Sequence, residues 1–238
     1  MNRMLIIAAS SDLSISYLES IKNDKLDIDV IVRDSSRIPE NILSMIDEIH
    51  EFDLNDLESL NRFISTSKYS QIIFFQGIDI IKPFQHFNIN DLSQTFNVNV
   101  LSIILLLNIL IAKKYLHKEA SIVIISSISG ITKGTPGHVL YSSSKAALIG
   151  LVKSLSLELS RRSIRINCIS PGLIQTESLF AKNNHILSNE EKLAYDSKYP
   201  LGLGKLDSLN GTIKFLLGTS SKWITGQNLI VDGGNSNI

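Results

Sequence analysis

Tyr141-Ser-Ser-Ser-Lys145 sets a phenol and an ammonium four residues apart, and on a helix that spacing puts both on one face. A free tyrosine, with a pKa of about 10, carries protons poorly near neutrality. An ammonium about 4 Å away contributes roughly 4 kcal/mol at an effective dielectric of about 20, or about three pKa units, but only about 1 kcal/mol in bulk water. The two residues therefore form an acid/base couple only inside a crevice that excludes water; on an open helix face they are an ordinary exposed pair. Ser127 follows the apolar run 122–125 and precedes Gly130. A strand ending there would aim a hydroxyl at the same place, although capping a turn is the plainer role for such a serine. Asn97-Val-Asn99 opens a long aliphatic stretch, where an asparagine is unfavourable unless its amide has a partner.

Short apolar runs alternate with longer helical patterns, the signature of a parallel sheet with crossover helices. Strands are predicted over 4–9, 28–32, 46–50, 71–75, 121–126, 165–169 and 228–231, several of them continuous aliphatics, as in strands covered on both faces. Helices are predicted over 13–24, 55–67, 91–117, 137–161 and 207–217, with Asp53 or Asn55 capping the second. There is no internal repeat, low-complexity tract or linker, so residues 1–238 read as one domain. Right-handed crossovers turn this order into an α/β, single-domain Rossmann fold: a doubly wound, seven-stranded parallel sheet flanked by helices on both faces. Ligands of such sheets bind beyond the carboxyl ends of the strands. That places residues 8–16, 75–77, 126–130 and 170–176 around one crevice.

Bulk properties exclude several classes of function. Lysine plus arginine equals aspartate plus glutamate, 23 against 23, so no net field argues for nucleic acid or an anionic membrane. His50, His86, His117, His138 and His185 are scattered without metal-ligand spacing, and Cys168 is alone, so neither a metal nor an internal disulfide is expected. The N-terminal apolar stretch is too short for a signal-peptide core. The aliphatic segment 100–112 falls short of the roughly 20 residues that span a bilayer. A cytoplasmic protein is the expectation.

Asn99, Ser127, Tyr141 and Lys145, in this order and spacing, resemble the catalytic tetrad of the short-chain dehydrogenase/reductase family. Asn167-Cys-Ile-Ser-Pro171-Gly172 followed by Thr176, Ile224-Thr-Gly-Gln227 with Val231-Asp-Gly-Gly234, and Asp53-Leu54 resemble further family segments, so the likeness covers nearly the whole chain. Among family branches, the 3-oxoacyl-carrier-protein reductases are most similar. Two segments depart. The family's first loop reads Thr-Gly-x-x-x-Gly-x-Gly, whereas here Ala9-Ser-Ser-Asp-Leu-Ser14-Ile-Ser16 has no glycine and looks like the serine-bearing loop of enoyl-carrier-protein reductases. Hydroxyls and a helix N-terminus can still hold phosphate there. In Phe74-Phe-Gln-Gly77, where Asn-Asn-Ala-Gly is usual, only the glycine remains.

The resemblance implies an NAD(P)-dependent oxidoreductase interconverting a carbonyl and a secondary alcohol. In it Tyr141 is the general acid, Lys145 lowers the tyrosine pKa, Ser127 binds the substrate oxygen, and Asn99 holds a water linking Lys145 to solvent. Cofactor contacts are expected from Ala9, Ser10, Ser14, Ile15, Arg33, Asp53, Leu54, Gly77, Pro171, Gly172, Ile174 and Thr176. Arg33 and Arg37 favour the 2′-phosphate of NADP, while Asp34 beside them favours NAD. Residues 176–200 read as a substrate lid, with Leu179 and Phe180 early and Asn189-Glu-Glu-Lys192 later. Lys113, Lys114, Lys118, Arg161 and Arg162 read as solvated helix ends, with an acidic carrier protein as the other candidate partner. The aliphatic stretches 100–112 and 146–159 imply a homodimer or homotetramer. The alternative reading is a catalytically idle nucleotide-binding sensor or scaffold of the same fold, for which the two altered loops speak.

Overall fold

The computed structural model describes residues 2–176 and 197–238; the expected lid, apart from Thr176 and residues 197–200, lies outside them. Seven strands form one all-parallel sheet: β1 (Arg3–Ile7), β2 (Asp27–Val32), β3 (Glu48–Glu51), β4 (Tyr69–Phe74), β5 (Leu116–Ile125), β6 (Arg165–Pro171) and β7 (Asn228–Val231), in the order β3-β2-β1-β4-β5-β6-β7. The chain reverses its direction of travel across the sheet between β1 and β4, which opens the ligand crevice of a doubly wound fold. Helices α1 (Asp12–Ser20), α2 (Glu40–Leu43), α3 (Leu57–Leu60), α4 (Ile89–Phe96), α5 (Ser102–Ala112), α6 (Val139–Leu159) and α7 (Asn210–Leu217) cover both faces.

Strand side chains alternate between two cores, as a period of two requires. Leu5, Ile7, Ile72, Phe74, Ile122 and Ile124 pack with α5 and α6. Met4, Ile6, Ile73, Phe75, Val123 and Ile125 pack with α1, α2 and α7 on the other side.

All seven predicted strands are present, but three elements differ from expectation. The helix expected over 55–67 is a single turn, α3, capped by Asp56 rather than Asp53 or Asn55. Beyond it Ser65 Oγ bonds both the N–H and the C=O of Ser67, the local competition by which serines oppose helix formation. The helix expected over 91–117 stops at Ala112, because Lys114 turns left-handed at φ 60° and Leu116 already belongs to β5. Between α4 and α5 a π-helical turn, Asn97–Leu101, keeps the helical run continuous over Ile89–Ala112. That run is therefore long and apolar enough to cross a membrane by length and composition, contrary to the shorter segment read from sequence. More than half of its most apolar window is buried inside the protein.

Candidate active site

The four tetrad candidates come from three elements that meet beyond the ends of β4 and β5. Asn99 sits in the π-helical turn, a feature common at functional sites. Its fully buried amide accepts from Ile78 N–H (2.8 Å) and donates to Ile78 O (2.9 Å) and Ser144 Oγ (2.9 Å). The partner that a mid-helix asparagine demands is thus supplied by the loop after β4. Both amide donors are thus directed to protein, while Oδ1, which accepts from Ile78, keeps a second acceptor position.

Ser127, 8% exposed, follows β5 and accepts from Ser129 N–H (3.2 Å). Tyr141, in the first turn of α6, is partly exposed as a residue, and its hydroxyl faces Ser127. Burial of the phenol raises its pKa, Ser127 lowers it, and the charge of Asp79 raises it further; the balance is upward. Lys145, one turn on, is buried. Its ammonium donates to the backbone carbonyls of Ile125 (2.9 Å) and Gln76 (3.1 Å) and lies 5.8 Å from the centre of the Tyr141 ring. Desolvation pulls the lysine down to about 8, opposed by the facing Cys168. The sequence reading has Lys145 lowering the tyrosine pKa; here the ammonium is engaged with carbonyls, and desolvation of the phenol prevails.

Gly77 explains why a glycine stands after Gln76: a Cβ there would lie 2.9 Å from Lys145 Nζ. Two residues on, Asp79 Oδ2 lies 2.7 Å from His138 Nδ1, and the His138 ring meets Tyr141 edge-on at 6.4 Å. Neither Asp79 nor His138 was singled out from the sequence. His138 carries a usable signal, because 138, 141 and 145 share a helix face; Asp79 carries none, since only the fold brings it there.

The expected cofactor residues divide. Ala8 takes the left-handed φ of 63° where a glycine would be at ease. Ala9 is fully buried in the core, so only its backbone is available to a ligand, and Ser10 is partly exposed beside it. Ser11, unmentioned among the expected contacts, caps α1 by accepting from Ser14 N–H (3.3 Å). Ser14 is fully buried, and its Oγ has no hydrogen-bond partner among the described residues. Ile15 is partly buried against the core. Arg33 is exposed just past β2. There Asp34 accepts from Ser36 N–H and Oγ, and Glu51 from Ser35 N–H, holding both carboxyls below their usual range. Asp53 bonds Asn55 N–H (2.9 Å), and the Leu54 side chain lies in the core. Pro171 ends β6, and Gly172 passes so close to Asp232 that a Cβ would sit 2.9 Å from its backbone. Ile174 bridges to Gly204, and Thr176 is partly buried.

A model of the family described as enoyl-(acyl carrier protein) reductase matches residues 47–236. The chain belongs to the short-chain dehydrogenase/reductase family. Within that family it is 40% identical over 118 residues to the 3-oxoacyl-[acyl-carrier-protein] reductase FabG of Chlamydia trachomatis, covering 49% of this chain and 45% of that protein. The chain spans about half the length of the curated relatives it matches. A short chain dehydrogenase family protein from Francisella tularensis superposes with a TM-score of 0.86 at 24% identity over the full length of both chains. The protein ElxO, solved with NADP bound, superposes with a TM-score of 0.84 at 27% identity, covering 100% of this chain and 99% of its own.

Away from the crevice, parallel pairing of Asp29 with Glu48 brings Asp29, Glu48 and His50 ligand atoms within 4.8 Å of one another, a cluster that sequence spacing did not disclose. Asp29 there is already bonded to Arg3 (2.7 Å) and Tyr69 (3.0 Å), so its charge is met without a cation.

Proposed function

We propose that the chain is an NADPH-dependent ketoreductase interconverting a carbonyl and a secondary alcohol, with a 3-oxoacyl thioester or related compound as substrate. The convergence of Ser127, Tyr141 and Lys145 beyond the ends of β4 and β5 carries this reading. Tyr141 would give its proton to the carbonyl oxygen; burial holds the phenol protonated before that transfer, and Ser127 works in the opposite direction to lower its pKa. Ser127, facing that phenol, would donate to the same oxygen and fix its position. Lys145, at about 8, stays mostly charged near neutrality and would offset the charge left on the phenol oxygen. Asn99, which ties the loop after β4 through Ile78 to α6 through Ser144, would hold a water linking Lys145 to solvent.

The first loop fits a dinucleotide. An orphaned buried hydroxyl at Ser14, the capped N-terminus of α1 and the hydroxyls of Ser10 and Ser11 supply donors for a pyrophosphate without glycines. Exposed Arg33 suits a 2′-phosphate. When bound, the nicotinamide supplies the hydride. Leu101 and Ile104 on the π-turn and α5, and Leu157 on α6, expose apolar surface in keeping with a homodimer or homotetramer in the cytoplasm.

Tyr141→Phe tests the assignment. Nucleotide binding should persist, while ketone-dependent NADPH oxidation, followed by near-ultraviolet absorbance, should fall by about a hundredfold or more. Undiminished turnover would overturn the role of Tyr141. Nucleotide binding by the wild-type protein with no turnover of ketones, β-keto esters or 3-oxoacyl thioesters would leave the idle sensor.

A further inference from the structure

The loop after β4 and the segment before α6 form a seam beside Tyr141. Lys82 N–H donates to Gly137 O (3.2 Å), and Gly137 adopts φ +85°, where a Cβ would press on Ile81 at 3.0 Å. Across this seam Asp79 Oδ2 and His138 Nδ1 meet at 2.7 Å, both side chains between a fifth and a third exposed. Tyr141 follows His138 by three residues on the same helix, and the two rings are in edge contact. A carboxylate is thereby anchored across one imidazole from the Tyr141 ring, on a loop that crosses to it from another strand.

We propose that Asp79, held in place by His138, is a positioning residue that keeps Tyr141 in its proton-bearing form and so extends carbonyl reduction into alkaline pH. The proposal rests on the reading of Tyr141 as proton donor. A negative charge beside a phenol opposes its ionisation, because the phenolate would face a like charge. Among the described residues the other groups facing Tyr141 are Ser127 from the end of β5 and Lys145 from α6, whose ammonium is drawn towards the Ile125 and Gln76 carbonyls and faces Cys168 of β6. Elsewhere along the seam, Lys82 is paired with Asp91 of α4, and Lys133 bonds Asn235 O. Asp79 is thus the charge on this side that bears on the phenol, in the direction that favours the protonated form. His138 fixes the carboxylate by donating from Nδ1, a service that a glutamine donor can replace once the imidazole is uncharged.

The test uses the full chain with Asp79→Asn, His138→Gln and His138→Ala. Tyrosinate absorbance is titrated as the difference between each protein and its Tyr141→Phe counterpart, and the alkaline limb of ketone reduction is recorded alongside. Asp79→Asn should move both the Tyr141 titration and the alkaline limb down by roughly one pH unit. His138→Ala, which frees the carboxylate to turn towards solvent, should move them part of the way. His138→Gln should restore the wild-type position. Unchanged titration in Asp79→Asn, or equal shifts in His138→Gln and His138→Ala, would overturn the proposal; a seam that is only structural would change melting temperature and leave the titration in place. If the wild-type protein reduces no ketone, the ketoreductase reading fails, and the absorbance titration still decides the role of Asp79.

Discussion

Lys145→Met replaces a buried ammonium with a side chain of similar length and no charge. In the folded chain the lysine is desolvated and its pKa falls from 10.5 to about 8. The folded state therefore binds the proton less tightly than the unfolded state, so stability rises as pH climbs from about 8 towards the unfolded value. Over that whole interval the gain is about 3 kcal/mol. Between about pH 7 and about pH 9, where denaturation is convenient to measure, the share is about 1 kcal/mol, or roughly 2–4 °C in melting temperature for a chain of this size. The methionine variant lacks this component. It leaves the carbonyls of Gln76 and Ile125 without their donor, a loss that offsets part of the relief but does not depend on pH. Urea unfolding of both proteins across the pH interval isolates the effect, since other groups titrate alike in each. Cys168, raised from 9.0 to about 12 by burial, lowers stability as pH rises through the unfolded thiol's value, and does so alike in both proteins, so it cancels in the comparison. Stability curves that run parallel from about pH 7 to about pH 9 would refute the burial of the ammonium and, with it, the picture of a dry site.

Two further outcomes follow from the first loop and the end of β2. Arg33→Ala should raise the Michaelis constant for NADPH by about tenfold, as expected for loss of one charge-assisted contact, while leaving that for NADH nearly unchanged; equal effects on both would remove Arg33 from the 2′-phosphate. Ser14→Ala should stabilise the nucleotide-free chain by about 1–2 kcal/mol, because it removes an unpaired buried hydroxyl and favours the helix, and should weaken NADPH binding in direct titration; a loss of stability would show that the hydroxyl is satisfied in solution.

The sheet was legible because each strand is a compact aliphatic run, and parallel strands buried on both faces leave that mark whatever surrounds them. The closeness of Tyr141 and Lys145 was legible for a related reason: both sit on one helix, where sequence distance is spatial distance. Non-local geometry was not legible. Asp79 reaches His138, and Asp29 reaches Glu48 and His50, only through the order of parallel strands. The direction of the Lys145 ammonium was hidden as well, since its acceptors are backbone carbonyls of two other strands' ends, which no residue type announces. Helix ends failed where serines or a left-handed residue cut the pattern short, at Ser65 and Lys114.

The costs carried by this chain bear on whether it is an enzyme or an idle scaffold. A desolvated ammonium at Lys145, oxygens on Ser14 and Gln76 without a hydrogen-bond partner among the described residues, and a left-handed Ala8 all fall on elements that border the crevice. Each costs on the order of 1–3 kcal/mol, against a total stability of about 5–15 kcal/mol for an ordinary domain. His50 Nε2, beside Phe63 and 3.6 Å from Glu48, makes no hydrogen bond among the described residues on the far strands. A scaffold that only had to fold could replace Lys145 by methionine and Ser14 by alanine and be more stable near neutrality. A site that must meet a pyrophosphate and a charge on a phenol oxygen cannot, because the ammonium and the hydroxyls are then offset by what they bind. The concentration of unmet polar groups at one end of an otherwise well-packed sheet therefore weighs for a working crevice, and the altered first loop is better explained as another way of binding the same anion than as the loss of the site.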